Sequence, residues 1–206
     1  MHNRRAKGIL WAIVALVAMS IGGVASAQGK TRARITSNTV YADPGRGSNE
    51  SNDIKVGYDA GAGELIITDR LAGVTAQAPC TKESSKTARC PTAGILYTYV
   101  YGFSKDDKIT LKSGDTNPFP GYLNTILAGG AGEDIVKGGA SADPVSGGGG
   151  DDILFGGGGV DRIFGDKGSD VLHADDGVAD QTIDCGEGDD PAPFVDDGLD
   201  PEPQNC

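Results

Sequence analysis

Asp134, Asp143, Asp152, Asp161 and Asp170 recur every nine residues, and Val136, Val145, Leu154, Ile163 and Leu172 keep the same step two residues later. Among them stand Gly130, Gly132, Gly148, Gly150, Gly157, Gly159 and Gly168. Carboxylates and bare glycine carbonyls offer nothing but oxygen, so the chemistry this set suits is the capture of a hard cation. Ca²⁺ takes about six to eight oxygens in a tolerant geometry and fits better than Mg²⁺, which demands a strict octahedron and keeps its water.

The region reads as successive nonapeptides: GGAGEDIVK (129–137), GGASADPVS (138–146), GGGGDDILF (147–155), GGGGVDRIF (156–164) and GDKGSDVLH (165–173). A degenerate ADDGVADQTI (174–183), one residue longer, and a weaker CGEGDDPAP from Cys185 follow. Three residues of each repeat form a minimal strand whose aliphatic member points inward. The other six turn the chain, with glycine supplying backbone angles that other residues resist. Two nonapeptides then make one coil of 18 residues, so that alternate repeats stack.

In that register Asp134, Asp152 and Asp170 line one edge, and Asp143, Asp161 and Asp180 the other. Stacked pairs offer up to four cation positions, 134/152, 152/170, 143/161 and 161/180. The 143/161 position is expected to be the weakest, because Ser141 replaces a glycine and Pro144 lacks an N–H. The extra residue before Asp180 displaces the 161/180 pair. Asp151 and Asp189 are expected to face solvent, and Asp166, in place of a second glycine, to decorate its turn. Asp107 and Ile109 fall three nonapeptides before Asp134 and Val136, so the coil is expected to begin near residue 105. Ile135, Ile153 and Val171 would stack on one outer face, docked on the N-terminal module or a partner, and Pro144, Arg162 and Gln181 on the other.

This pattern resembles the repeats-in-toxin, or hemolysin-type, calcium-binding nonapeptide G-G-x-G-x-D-x-U-x, across residues 129–183. The resemblance implies an all-β chain with a C-terminal parallel β-roll, a β-helix or solenoid of nonapeptide repeats, behind a small β-rich N-terminal module. It implies Ca²⁺ as the cofactor, bound by the aspartates and glycines named above. The chain is also similar to small secreted bacterial calcium-binding proteins with a C…C-P element (Cys80, Cys90-Pro91) and a terminal D-C-G run (Asp184-Cys185-Gly186).

The elements around the repeats set the context. A basic start (Arg4, Arg5, Lys7), an apolar run from Ile9 to Val24 and Ala25-Ser26-Ala27 predict a signal peptide cleaved after Ala27. The expected organisation is residues 1–27 as signal peptide, 28–104 as the β-rich module, 105–184 as the roll and 185–206 as a disulfide-closed cap. Of the 206 residues, 128–206 hold 3 Lys/Arg against 19 Asp/Glu, a net charge near −16. Such a segment cannot collapse against its own repulsion without cations. Nucleic acid is excluded as a partner, since phosphate wants the opposite sign.

Cys80, Cys90, Cys185 and Cys206 allow three disulfide connectivities. Pairing Cys80 with Cys90 and Cys185 with Cys206 closes two short local loops. Strands are expected at 33–41, 54–58, 64–68, 95–101 and 108–112, with Tyr97, Tyr99 and Tyr101 alternating on one face. Such a tyrosine ladder either packs on a neighbouring strand or stacks on sugar rings.

Three functions are open to such a chain. The first is a non-enzymatic secreted calcium-binding module with a structural or adhesive role, facing a cell-surface or matrix polysaccharide or protein. The second is a small secreted enzyme, acting on carbohydrate or protein, with the roll as its stabilising tail. Against it, His173 is the one histidine after residue 27, which excludes an H-E-x-x-H zinc site and any histidine-based triad outside the roll. The third, a toxin, would need a membrane-active segment after residue 27, and no apolar or amphipathic run of that kind is present.

Overall fold

A computed structural model describes residues 30–37, 39–45, 49–112, 124–196 and 198–206. The expected signal peptide, 1–27, lies outside them. The described residues form sixteen strands in two eight-stranded sheets, and none of them is in a helix long and apolar enough to cross a membrane.

One sheet runs β16 (Thr182–Glu187), β14 (Arg162–Lys167), β12 (Pro144–Gly149), β10 (Asn124–Ala131), β8 (Tyr97–Ser104), β2 (Thr39–Asp43), β1 (Thr31–Thr36) and β5 (Val74–Ala76). The other runs β15 (Val171–His173), β13 (Ile153–Phe155), β11 (Ile135–Lys137), β9 (Lys108–Leu111), β3 (Asp53–Asp59), β4 (Glu64–Asp69), β7 (Thr87–Pro91) and β6 (Thr81–Lys82). From β8 onward the chain alternates between the sheets, and every neighbouring pair is parallel. This is a coil flattened into two faces, with the aliphatic phase of the sequence facing its interior.

The registers show that phase directly. Val136 lies beside Leu154 and Leu154 beside Leu172 in one sheet. Leu127, Val145, Ile163 and Ile183 stack in the other. All seven side chains have no exposed surface. Burial of one such aliphatic is worth about 1.5–3 kcal/mol, so these two stacks are the main apolar stabilisation of the coils.

The coils do not stop at the repeats. Ile109 pairs with Val136 and Ile54 with Ile109, both in parallel. Val100 pairs with Leu127 and Ala42 with Val100 in the same way. Beyond them β1 with β2, β3 with β4, β4 with β7 and β6 with β7 pair antiparallel, while β1 and β5 pair in parallel. The expected single strand 33–41 is two strands, because the chain reverses at Ser37, which has φ 56°. Nothing in its composition interrupts the β-forming run, and only the Ser-Asn pair hints at a turn.

Both expected disulfides are formed, Cys80–Cys90 and Cys185–Cys206. The second ties down a tail that covers the last coil. Phe194 bridges His173, and Gln204 bridges Asp184, so both sheets end under a pairing backbone rather than an open edge.

The outer faces differ from expectation in two places. The N-terminal strands extend the sheets end to end and do not cover the ladder Ile135, Ile153, Val171, leaving Ile153 37% exposed. Arg162 pairs in register with Thr182, not Gln181, because a second extra residue follows Asp180. The tyrosine ladder packs within the sheet: Tyr99 stacks on Tyr41 of β2 at 5.5 Å and on Tyr97 at 6.4 Å, with Arg34 over the Tyr41 ring.

Candidate metal centre

All seven singled-out glycines have positive φ, between 98° and 138°. Close stacking adds a second demand at Gly148, where a Cβ would run into the carbonyl oxygen of Gly130 one coil below. Asp166, at the second-glycine position, takes φ 75° itself and accepts a hydrogen bond from Ser146 Oγ at 2.7 Å. It thus helps to hold the turn in which it sits. The repeat at 138–146 departs from this scheme: neither Gly139 nor Ser141 is left-handed. Ser141 stands where the other repeats carry the left-handed Gly132, Gly150, Gly159 and Gly168, a conformation that residues with a Cβ adopt less readily.

The aspartates form two hydrogen-bonded files. On one edge Asp134 N–H donates to Asp152 Oδ1, Asp152 N–H to Asp170 Oδ1, and Asp170 N–H to Asp190 Oδ1, each at 2.8 Å. On the other edge Asp143 N–H donates to Asp161 Oδ1 and Asp161 N–H to Asp180 Oδ1 at 2.8 Å, and Asp180 N–H to Asp200 Oδ1 at 2.9 Å. The extra residue before Asp180 thus lengthens its turn without breaking the file.

Each carboxylate spends one oxygen on this bond and keeps the other. Oδ2 of Asp134, Asp152, Asp161, Asp170 and Asp180 is buried without a hydrogen-bond partner. Four of these residues are at most 1% exposed and Asp180 is 8% exposed. An unpaired carboxylate oxygen in such a place is costly unless a cation or a proton answers it. The acidities state the same problem. Burial pushes Asp152 and Asp161 up to about 8, helped by the carboxylates stacked on either side and opposed by the backbone N–H bonds. Asp134, Asp170 and Asp180 are pushed to about 6, again chiefly by burial.

Asp143 is the exception. It is pushed to about 7 by burial, but its Oδ2 accepts the N–H of Gly139 at 2.8 Å and is not left over. At the 143/161 pair one carboxylate oxygen is thus already used by its own turn.

Among the described residues no three acidic, histidine or cysteine side chains converge on one point. A cation between stacked turns would accordingly meet at most two carboxylates and draw its other oxygens from the turn carbonyls. The donor set, carboxylate plus carbonyl at a buried orphan oxygen, fits Ca²⁺. The x positions are solvent-facing yet still paired: Asp151 is exposed, and its Oδ1 accepts the Ser169 N–H at 2.8 Å. His173 lies flat between Phe155 and Phe194, with ring centroids 4.4 Å away on each side.

Asp190 and Asp200 were not among the residues singled out from the repeats. Asp190 holds the aspartate position of the weak repeat from Cys185, which was a usable signal. Asp200 lies beyond any repeat, and only the fold of the tail brings it to Asp180.

Residues 121–154 and 146–178 match the family model of the RTX calcium-binding nonapeptide repeat in four copies. Neither the curated proteins nor the solved structures contain a match to the chain. The matched stretch is less than a third of the 206 residues and coincides with coils built from β10 to β15. Residues 121–178 therefore carry RTX repeats, which bind Ca²⁺, and the described residues among them, 124–178, coil as a β-roll.

Proposed function

We propose that this chain is a secreted, non-catalytic calcium-binding protein whose roll becomes a rigid scaffold outside the cell, in a structural or adhesive role. The observation that carries this reading is the file of buried Oδ2 atoms left without partners at Asp134, Asp152, Asp161, Asp170 and Asp180. Stacked pairs 134/152, 152/170 and 161/180 would each hold one Ca²⁺ with carbonyls of Gly130, Gly132, Gly148, Gly150, Gly157, Gly159 and Gly168. The pair 143/161 would hold one more weakly, because Asp143 is partly engaged. Bound Ca²⁺ supplies two positive charges per site to a segment that carries 3 Lys/Arg against 19 Asp/Glu. Because folding assembles the sites, metal binding and folding share one free energy.

Secretion is supported by the predicted signal peptide and by two disulfides, which persist in oxidising compartments. The proposed organisation is a signal peptide over 1–27, a β-rich module over 28–104, the roll over 105–184 and a cap over 185–206, with β8 at the end of the module already stacked in parallel on the first strand of the roll's sheet. A non-catalytic role is supported by His173, the one histidine after residue 27, being held between two phenyl rings.

The test is circular dichroism and equilibrium dialysis of residues 28–206 with Ca²⁺, using Mg²⁺ as control. Gain of β signal with uptake of Ca²⁺ in the 10⁻⁴ to 10⁻³ M range typical of extracellular modules supports the reading. No uptake and no spectral change up to several millimolar overturns it.

A further inference from the structure

The file of aspartates on the 134/152 edge continues upstream of the glycine repeats. Asp107 N–H donates to Asp134 Oδ1 at 2.7 Å, the bond that joins one coil to the next within the repeats. Asp107 Oδ1 in turn accepts the backbone N–H of Asn52 at 2.7 Å and its side-chain N–H at 3.2 Å. Asp107 Oδ2 and Asn52 Oδ1 are both buried without a partner, in residues 3% and 0% exposed.

The turn that carries Asp107 has the shape of a repeat without its letters. Gly102 holds the first position, and Phe103 and Lys105 hold the second and fourth with φ 84° and 76°. Phe103 is in register with Gly130. Residues other than glycine rarely adopt this conformation, and they hold it only where the surroundings impose it. Beside Gly102 two oxygens converge, since an added Cβ would touch both Asp107 Oδ2 and the carbonyl oxygen of Gly129. In the repeats, Gly147 stands in the same relation to Asp152 Oδ2.

We propose that a further Ca²⁺ is held between the turn 102–107 and the turn 129–134, with Asp107 and Asp134 as its carboxylates and Asn52 closing its outer end. This inference rests on the calcium reading of the repeats and extends it into a segment outside the matched residues. The site differs from those between glycine turns in having Lys105 at its rim, which weakens it.

Terbium replaces calcium at oxygen sites and emits when a nearby tyrosine is excited. Tyr101 lies two residues before Phe103, with the two rings 4.2 Å apart, whereas residues 124–206 contain no tyrosine or tryptophan. Asp107→Asn keeps an acceptor for Asn52 and removes the charge. It is expected to abolish most tyrosine-sensitised terbium emission and to lower Ca²⁺ uptake by one ion per chain in equilibrium dialysis. Unchanged emission and uptake in that variant overturn the site. Should Asp107→Asn not fold, Lys105→Gly decides, because it relieves strain and removes a repelling charge. A tighter terbium titration supports the site, and an unmoved midpoint overturns it. Absence of any Ca²⁺ uptake by the unaltered chain is a different result and overturns the reading of the repeats themselves.

Discussion

Two residues before the buried aliphatic of each coil, one edge of the molecule carries Asn52, Asp107, Asp134, Asp152 and Asp170, and the other carries Thr98, Thr125, Asp143 and Asp161. Both rows are buried, Thr98 and Thr125 at 0% and 1% exposed. On the first edge a file of spare carboxylate oxygens runs nearly the full length of the stack. On the second, threonine hydroxyls take the place of carboxylates upstream, and Asp143 consumes its own spare oxygen on Gly139. Parallel coils of this shape therefore stack without a carboxylate at every turn. The charge is a requirement of the ion and not of the fold.

The largest consequence concerns calcium removal. In calcium-depleted buffer, hydrogen exchange is expected to show strands β11 to β16 losing protection while β1 to β7 retain it, since mainly antiparallel pairing and the Cys80–Cys90 bridge hold the latter. Uniform loss along the chain would erase the distinction and make the stack one cooperative unit.

Next in size is the contrast between equivalent aspartates. Asp152→Ala strands the Asp134 N–H, which alone costs about 1–3 kcal/mol, and removes a ligand from two stacked pairs. It is expected to lower the urea midpoint and cut Ca²⁺ uptake more than Asp143→Ala does, as read by urea titration and dialysis. Equal effects would mean that the Gly139 contact leaves Asp143 fully available.

A smaller effect is expected from pH. Burial raises Asp152 and Asp161 to about 8 and Asp134 to about 6, above the ordinary 3.8, so the metal-free fold binds protons that the unfolded chain does not. Its stability is therefore greatest in acid and declines as pH rises from about 4 to about 8. With calcium saturating, the slope reverses, because protons compete with the ion. Urea midpoints at pH 5.5 and 8, with and without Ca²⁺, read both signs. A metal-free midpoint that rises with pH would contradict the burial of these groups.

The smallest change is a gain. Ser141→Gly frees the turn 138–143 to adopt the left-handed form of its neighbours and is expected to raise Ca²⁺ affinity slightly at the 143/161 pair. No change in the calcium titration would show that the Gly139 contact, and not the serine, limits this edge.

The repeats were legible because two independent features share one period: the aspartate at a turn that stacks, and the aliphatic at a strand that faces inward. The phase alone pointed upstream to Asp107 and Ile109, and Ile109 lies in register beside Val136. The turn at 102–107 was not legible, since Phe103 and Lys105 adopt by tertiary constraint an angle that glycine would have advertised. The hairpin at Ser37 was hidden by β-forming residues on both sides. Asp200 was beyond reach of periodicity, because its place beside Asp180 depends on a tail folded back by the Cys185–Cys206 bridge.

The hydrogen bonds between aspartates all point one way along the chain. Each amide finds its acceptor later in the sequence, 27 residues on for Asp107, 18 for Asp134 and 20 for Asp170. A polypeptide made from its amino end presents every donor before the matching acceptor has been synthesised. The unmet donor is handed from coil to coil as the chain lengthens, and Asp190 and Asp200 in the tail are where the debt is finally discharged.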